Sequence, residues 1–262
     1  MNVADRPPRD AIHSTPVSGA VIVAHGERGG SFSNAIVKGH AVAASKALPD
    51  VAVAAGVLSG EPTFEAALAE VASRTDGEIL IYPFFMAPGY FVNTKIPKRI
   101  ADAGLAERCR MLETFGSSAP LPAVILQQAL ASASELGAEP QASRLLLVGH
   151  GSKVSRASAE ATEAVAACLR ALGGFGVVAT AFLEEAPFVE DVVLSDNHRP
   201  TVVVGFFNGD GLHAAEDVPQ MIGKFDGPIG YTGPVGAFDD ASRLIADVIH
   251  QACTKTARDT SA

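Results

Sequence analysis

Short, nearly continuous apolar runs recur along the chain, and each is followed by a stretch whose apolar positions return at helical spacing. Runs of this kind, bounded by glycine, proline or polar residues, mark strands buried on both faces of a parallel sheet. They fall at about 19–24, 51–58, 78–85 and 109–113. Helical spacing covers 32–48, with Ser31 or Ser33 as N-cap, then Glu61-Pro62-Thr63 to about Ser73, a short piece after Ile96-Pro97, and 119–134. Residues 135–143 have the composition of a linker, and the order then begins again. Strands are predicted at 144–149, 176–183, 201–207 and 228–232. Helices are predicted at 156–172, from near Pro187, after Pro219, and at 238–253. Strands alternating with helices predict an α/β fold with parallel sheets. The proline-bearing stretch 1–17 reads as a loose leader.

The second set of elements repeats the first. His25 and His150, each followed by glycine after an apolar run, are 125 positions apart. At that offset Leu58 falls on Leu183, Pro62 on Pro187 and Glu65 on Glu190. The second set then loses three residues. At an offset of 122, Phe84, Phe85, Gly89 and Pro97 fall on Phe206, Phe207, Gly211 and Pro219, and near the ends Gly116 falls close to Gly236. One constant offset and one deletion predict two tandem copies of one α/β unit, 18–134 and 144–262.

Composition narrows the setting. With 262 residues, 48% of them hydrophobic, the chain can bury one large core or two smaller ones. No apolar run reaches the roughly 18–20 residues of a membrane span, and the start has no signal-peptide core, so neither membrane nor export is expected. Cys109, Cys168 and Cys253 are scattered without a CxxC pair, which suits a reducing cytoplasm. A net charge of −9 disfavours nucleic acid as a partner.

Candidate chemistry collects at the carboxyl ends of the strands, where open α/β sheets bind ligands. After the first strand both copies have histidine, His25 and His150. After the second strand one copy has Ser59-Gly60, the other Glu184 with Glu185 beside it. After the third strand Phe91 stands where the second copy has His213. The second copy thus offers His150, Glu184 and His213 on three neighbouring strand ends. Two imidazoles and a carboxylate suit a first-row divalent metal and leave positions open for a substrate. His25 remains alone in the first copy. Phe84-Phe85 and Phe206-Phe207 read as strand core, and His13, His40, His198 and His250 as solvated surface residues.

VGHGS at 148–152, AFLE at 181–184 and GLHAAEDVP at 211–219, in this order, resemble the CbiX-type sirohydrochlorin cobaltochelatases, class II chelatases related in fold to ferrochelatase. The resemblance spans nearly the whole chain as two fused copies. It implies two tandem three-layer α/β/α domains, each with a small parallel sheet. It implies insertion of a divalent metal, Co2+ foremost with Ni2+ or Fe2+ as alternatives, into an anionic tetrapyrrole without a nucleotide. By resemblance His150, Glu184 and His213 hold the metal and take up pyrrole protons, with Glu185 as the alternative carboxylate. His25, Gly151, Ser152, Lys153 and Arg156 would meet the substrate, with Arg28, Lys95, Lys98 and Arg99 on the opposite wall. Tandem fusion supplies the two-fold partner of a single copy, so a monomer is expected.

Two other readings compete. A non-catalytic tetrapyrrole or metal carrier fits the worn first copy and the polar loop Asn208-Gly209-Asp210-Gly211. A histidine phosphatase would need arginine before the histidine, where Ala24 and Gly149 stand.

Overall fold

A computed structural model describes residues 17–27, 33–209, 211 and 213–259. The first repeat contains β1 (Val17–Ala24), α1 (Ala35–Ala47), β2 (Ala52–Val57), α2 (Phe64–Arg74), β3 (Glu78–Pro83), α3 (Ile96–Asp102), β4 (Cys109–Met111) and α4 (Leu121–Glu135). The second contains β5 (Arg144–Gly149), α5 (Ala157–Leu172), β6 (Val177–Phe182), α6 (Val189–Leu194), β7 (Thr201–Gly205), α7 (Val218–Ile222), β8 (Ile229–Pro234) and α8 (Asp239–Asp259). Each repeat forms a four-stranded parallel sheet, in the orders β2-β1-β3-β4 and β6-β5-β7-β8. The tandem α/β architecture expected from the apolar runs is present in both.

The central strands are apolar on both faces because both faces are covered. Ala20–Val23, Ile79–Tyr82, Leu145–Val148 and Val202–Val204 are fully buried. Outward, Val21, Val23, Ile79 and Ile81 pack on α2 and α3, and Leu146, Val148 and Val203 pack on α6 and α7. Inward, Ile22, Leu80 and Tyr82 of one sheet and Leu145, Leu147 and Val204 of the other join a single core with α1, α4, α5 and α8. A fully buried Val, Leu or Ile stabilises by about 1.5–3 kcal/mol, so this shared inner layer ties the two repeats into one folding unit.

The last helix of each repeat crosses over. α4 packs mainly on α5, β7 and β8, and α8 packs on α1 and β1. Small residues permit the close approach, among them Ala129 and Ala133 on α4 and Ala241 on α8, all fully buried.

Three local features differ from the expectation. α1 starts at Ala35, with Asn34 in the left-handed region at φ 49° in place of a serine cap; Ser31 lies outside the described residues. The helices expected to open at Pro97 and Pro219 instead begin one turn earlier, as π-helical turns Phe91–Lys95 and His213–Asp217. Proline lacks an N–H and crowds the carbonyl four residues back, so a widened turn before it relieves the clash. His40 is buried, 4% exposed, not solvated. Its Nε2 donates to the Gly236 carbonyl at 2.9 Å, its Nδ1 lies 2.8 Å from Ser242 Oγ, and its ring meets Phe84 edge-on. It shares an apolar stripe of α1 with Val37, Ala41 and Ala44. Burial lowers its pKa, opposed by the bond to Gly236. His13 lies outside the described residues.

Candidate active site

In the strand order 2-1-3-4, the connections leaving β1 and β3 depart in opposite directions, which opens a crevice at their carboxyl ends. The same holds for β5 and β7. Both crevices open into one cavity of about 770 Å³ between the repeats. Its lining includes His25, Gly26 and Glu27 after β1, Phe84–Ala87 and Gly89–Phe91 after β3, His150–Ser152 after β5, and Phe206–Gly209 after β7.

Both histidine loops are built alike. The His25 carbonyl accepts from the Ser59 N–H at 2.9 Å, and the His150 carbonyl from the Glu184 N–H at 3.0 Å. The next residue must be glycine. Gly26 and Gly151 have φ of 104° and 71°, and a Cβ on Gly26 would come within 1.9 Å of the Ser59 carbonyl oxygen. Each imidazole Nδ1 faces the carbonyl of that glycine, at 3.3 Å for His25 and 3.0 Å for His150. A carbonyl only accepts, so Nδ1 carries the proton and Nε2 is the basic nitrogen. His150 is exposed and His25 half-buried.

The loops after β3 and β7 are pinned by a close backbone approach. The N–H groups of Gly116 and Gly236 donate to the Phe85 and Phe207 carbonyls, both at 3.0 Å. A Cβ there would come within 2.1 Å of Met86 O and 2.0 Å of Asn208 O. Asn208 Nδ2 donates to the Phe84 carbonyl across the repeats.

The carboxylates after β6 divide. Glu185 turns into the His150 loop: its Oε1 accepts from the Ser152 N–H at 3.0 Å, and its Oε2 lies 3.7 Å from Arg156 Nη1. Glu184 is exposed, and neither carboxylate lines the cavity. Of the substrate contacts expected from sequence, His25, Gly151 and Ser152 line the cavity; Lys153 and Arg156 are exposed and lie outside its lining. Of the expected basic wall, Lys95, Lys98 and Arg99 also stand outside the cavity lining. Lys98 pairs with Asp102 at 2.9 Å and Arg99 with Glu65 at 3.2 Å. Lys95 lies over the Tyr90 ring, 5.6 Å from its centre, and Arg28 is outside the described residues.

His213 opens its π-helical turn after β7; its side chain is not among those described. Its counterpart Phe91 packs edge-on against His25, centroids 4.6 Å apart. Among the described residues no group of three His, Cys, Asp or Glu side chains is close enough to hold an ion. Burial pushes the Cys109 thiol up to about 11, against the opposing pull of Arg108, so thiolate ligation near neutral pH is disfavoured there.

Several cavity residues escaped the sequence reading. Phe84, Phe206 and Phe207 are buried in the core as expected, and with the half-buried Phe85 they also lie just past the strand ends and line the cavity, a role not foreseen. Asn34 and Glu27 form a brace: Asn34 N–H donates to Glu27 Oε2, Glu27 N–H to Asn34 Oδ1, both at 2.9 Å, and Asn34 Nδ2 to Glu61 O at 2.8 Å. The repeated Phe-Phe ahead of a glycine-bearing loop was the available signal for the first group.

The CbiX family model matches residues 19–132 and 144–254. A probable sirohydrochlorin cobaltochelatase of Halobacterium salinarum is 29% identical over 226 residues, covering 76% of this chain and 75% of its own. The solved structure of CbiX, the terminal enzyme for biosynthesis of sirohaem in denitrifying bacteria, is 30% identical, with a TM-score of 0.74 over 89% of this chain and 99% of its own. SirB from Bacillus subtilis with Fe3+ shares the fold, with a TM-score of 0.74 at 15% identity over 90% of this chain and 96% of its own.

Proposed function

The chain belongs to the CbiX family, and on that premise we propose that it inserts a divalent metal, Co2+ foremost, into sirohydrochlorin held between the repeats. The observation that carries this reading is the single cavity into which both histidine loops open. Its volume of about 770 Å³ lies in the range of about 300–1,000 Å³ usual for small-molecule sites. Its phenylalanines suit a flat, conjugated macrocycle.

Insertion exchanges two pyrrole N–H protons for a metal dication, so bases must face the ring. Histidine serves near neutral pH. With Nδ1–H donated to the Gly151 carbonyl, His150 offers Nε2 to the metal or to a pyrrole proton, the second-shell arrangement typical of metal-binding histidines. His213 is the second metal ligand in this reading. Support comes from the repeat register: its counterpart Phe91 touches His25. Glu185 is committed to the Ser152 N–H and Arg156 and acts as a positioning residue. That leaves Glu184, exposed beside it, as the carboxylate for metal or proton. His25 faces the substrate from the other repeat.

The test is anaerobic incubation of sirohydrochlorin with Co2+, Ni2+ and Fe2+, followed by absorbance. Acceleration over the spontaneous reaction, fastest with Co2+ and lowered by about 10²-fold or more in His213→Ala, is expected. Full activity in His213→Ala overturns the site; binding without acceleration supports the carrier reading.

A further inference from the structure

Where the second repeat has His213, the first has an aromatic cluster. Phe91 lies 4.6 Å from His25 edge-on, 6.4 Å from Phe85 with rings 22° apart, and 6.0 Å from Tyr90. All four rings line the cavity. A contiguous exposed apolar patch marks an interaction surface, and here the neighbouring Tyr90 and Phe91 are 61% and 37% exposed. Lys95, on the same π-helical turn as Phe91, stands over the Tyr90 ring. The neighbouring cations are differently committed, Lys98 to Asp102 and Arg99 to Glu65, whereas Lys95 has no carboxylate partner among the described residues. Its counterpart in the second repeat is Asp217, so this position carries a cation beside the cavity-lining Tyr90 in the first repeat and an acid in the second.

We propose that the first repeat is the tetrapyrrole-holding wall. The macrocycle stacks on Phe91, Tyr90 and Phe85, and Lys95 meets its peripheral carboxylates, which fixes the ring with its opposite face toward the second repeat and the metal. The inference rests on the chelatase reading and adds which wall selects the substrate. Stacking supplies affinity for any flat conjugated ring. The ammonium supplies discrimination by carboxylate number, because each added carboxylate raises the Coulomb attraction. The loss of His213's counterpart in the first repeat then becomes a gain: a phenylalanine gives the stacking that histidine ligation would forgo.

The experiment titrates metal-free sirohydrochlorin anaerobically into the full-length protein without metal, by absorbance. Tyr90→Ala/Phe91→Ala should bind roughly tenfold more weakly and raise KM for the tetrapyrrole more than it lowers kcat. Lys95→Gln should bind about threefold more weakly at low salt and equal the wild type at high salt. It should also narrow the preference for uroporphyrin, with eight carboxylates, over coproporphyrin, with four. Thermal midpoints monitor folding, and Phe91→Leu together with the exposed Lys95→Gln test the proposal if the double variant unfolds. Wild-type affinity in folded Phe91→Leu and Lys95→Gln overturns it while leaving the chelatase reading intact. A wild type that binds no sirohydrochlorin overturns that reading as well.

Discussion

The two repeats share a backbone and differ in what they place on it. Equivalent strand-end hydrogen bonds hold His25 and His150, and equivalent glycines pin the loops after β3 and β7. The departures cluster. Phe91 replaces His213, Ser59 replaces Glu184, and Gly19 stands at the start of β1 where β5 has Arg144. The last difference follows from the three-residue deletion. In the first repeat α2 has 11 residues and packs so close to Gly19 that a Cβ there would come within 2.5 Å of Val71 Cγ1. In the second, α6 has only six residues. The buried Arg144 guanidinium fills the space and bonds the carbonyls of Val192 at 2.6 Å and Val193 at 3.2 Å near the helix end. The lesson is that one repeat changed its scaffold where the other changed its chemistry, without loss of the common backbone.

The comparison breaks most sharply at the histidines. His150→Ala and His213→Ala should each lower metal insertion about 10²–10⁴-fold, while His25→Ala should cost about tenfold or less, measured as initial rates with Co2+. A loss in His25→Ala equal to that in His150→Ala would erase the asymmetry. Arg144→Ala removes the guanidinium from the Val193 carbonyl and leaves the Val192 carbonyl to Ser195 Oγ alone; it should destabilise by about 2 kcal/mol, read from the denaturation midpoint, with no parallel cost at the matching position of the first repeat. His40→Leu orphans the Gly236 carbonyl and should cost about 2 kcal/mol near neutral pH. Because burial lowers the folded pKa of His40, its stabilisation is full above the ordinary value of 6.5 and is lost as pH falls through the lowered one. Denaturation midpoints at pH 7.5 and 5.5 should therefore converge between wild type and variant. Glu185→Gln keeps one acceptor for the Ser152 N–H but drops the charge facing Arg156; a cost of about 1 kcal/mol or less is expected, visible as a modest fall in kcat.

Much of this was legible in the chain. Eight apolar runs became eight strands because central parallel strands are covered on both faces and tolerate no polar interruption. The histidine-glycine phrase was legible because a left-handed residue at the strand end admits little else. Other features were not. An apolar Phe-Phe at a strand end looks the same whether it faces core or cavity. Lys98 and Arg99 read as substrate contacts because the partners that claim them, Asp102 and Glu65, depend on tertiary placement. His40 was the avoidable miss, since its spacing from Val37 and Ala44 already placed it on the buried stripe of α1. The crossing of α4 and α8 was beyond reach, because an amphipathic helix does not say which of two similar sheets it covers.

That crossing has a consequence for how the protein is made. β1 is translated early and α1 covers part of its inner face at once, but α8, which completes that cover by packing on α1 and β1, spans Asp239–Asp259. Translation adds about 5–20 residues per second, so the inner layer of the first sheet leaves the ribosome only partly covered for on the order of ten seconds or more. The half made first is the half finished last, and its open face during that interval is the natural substrate for a chaperone.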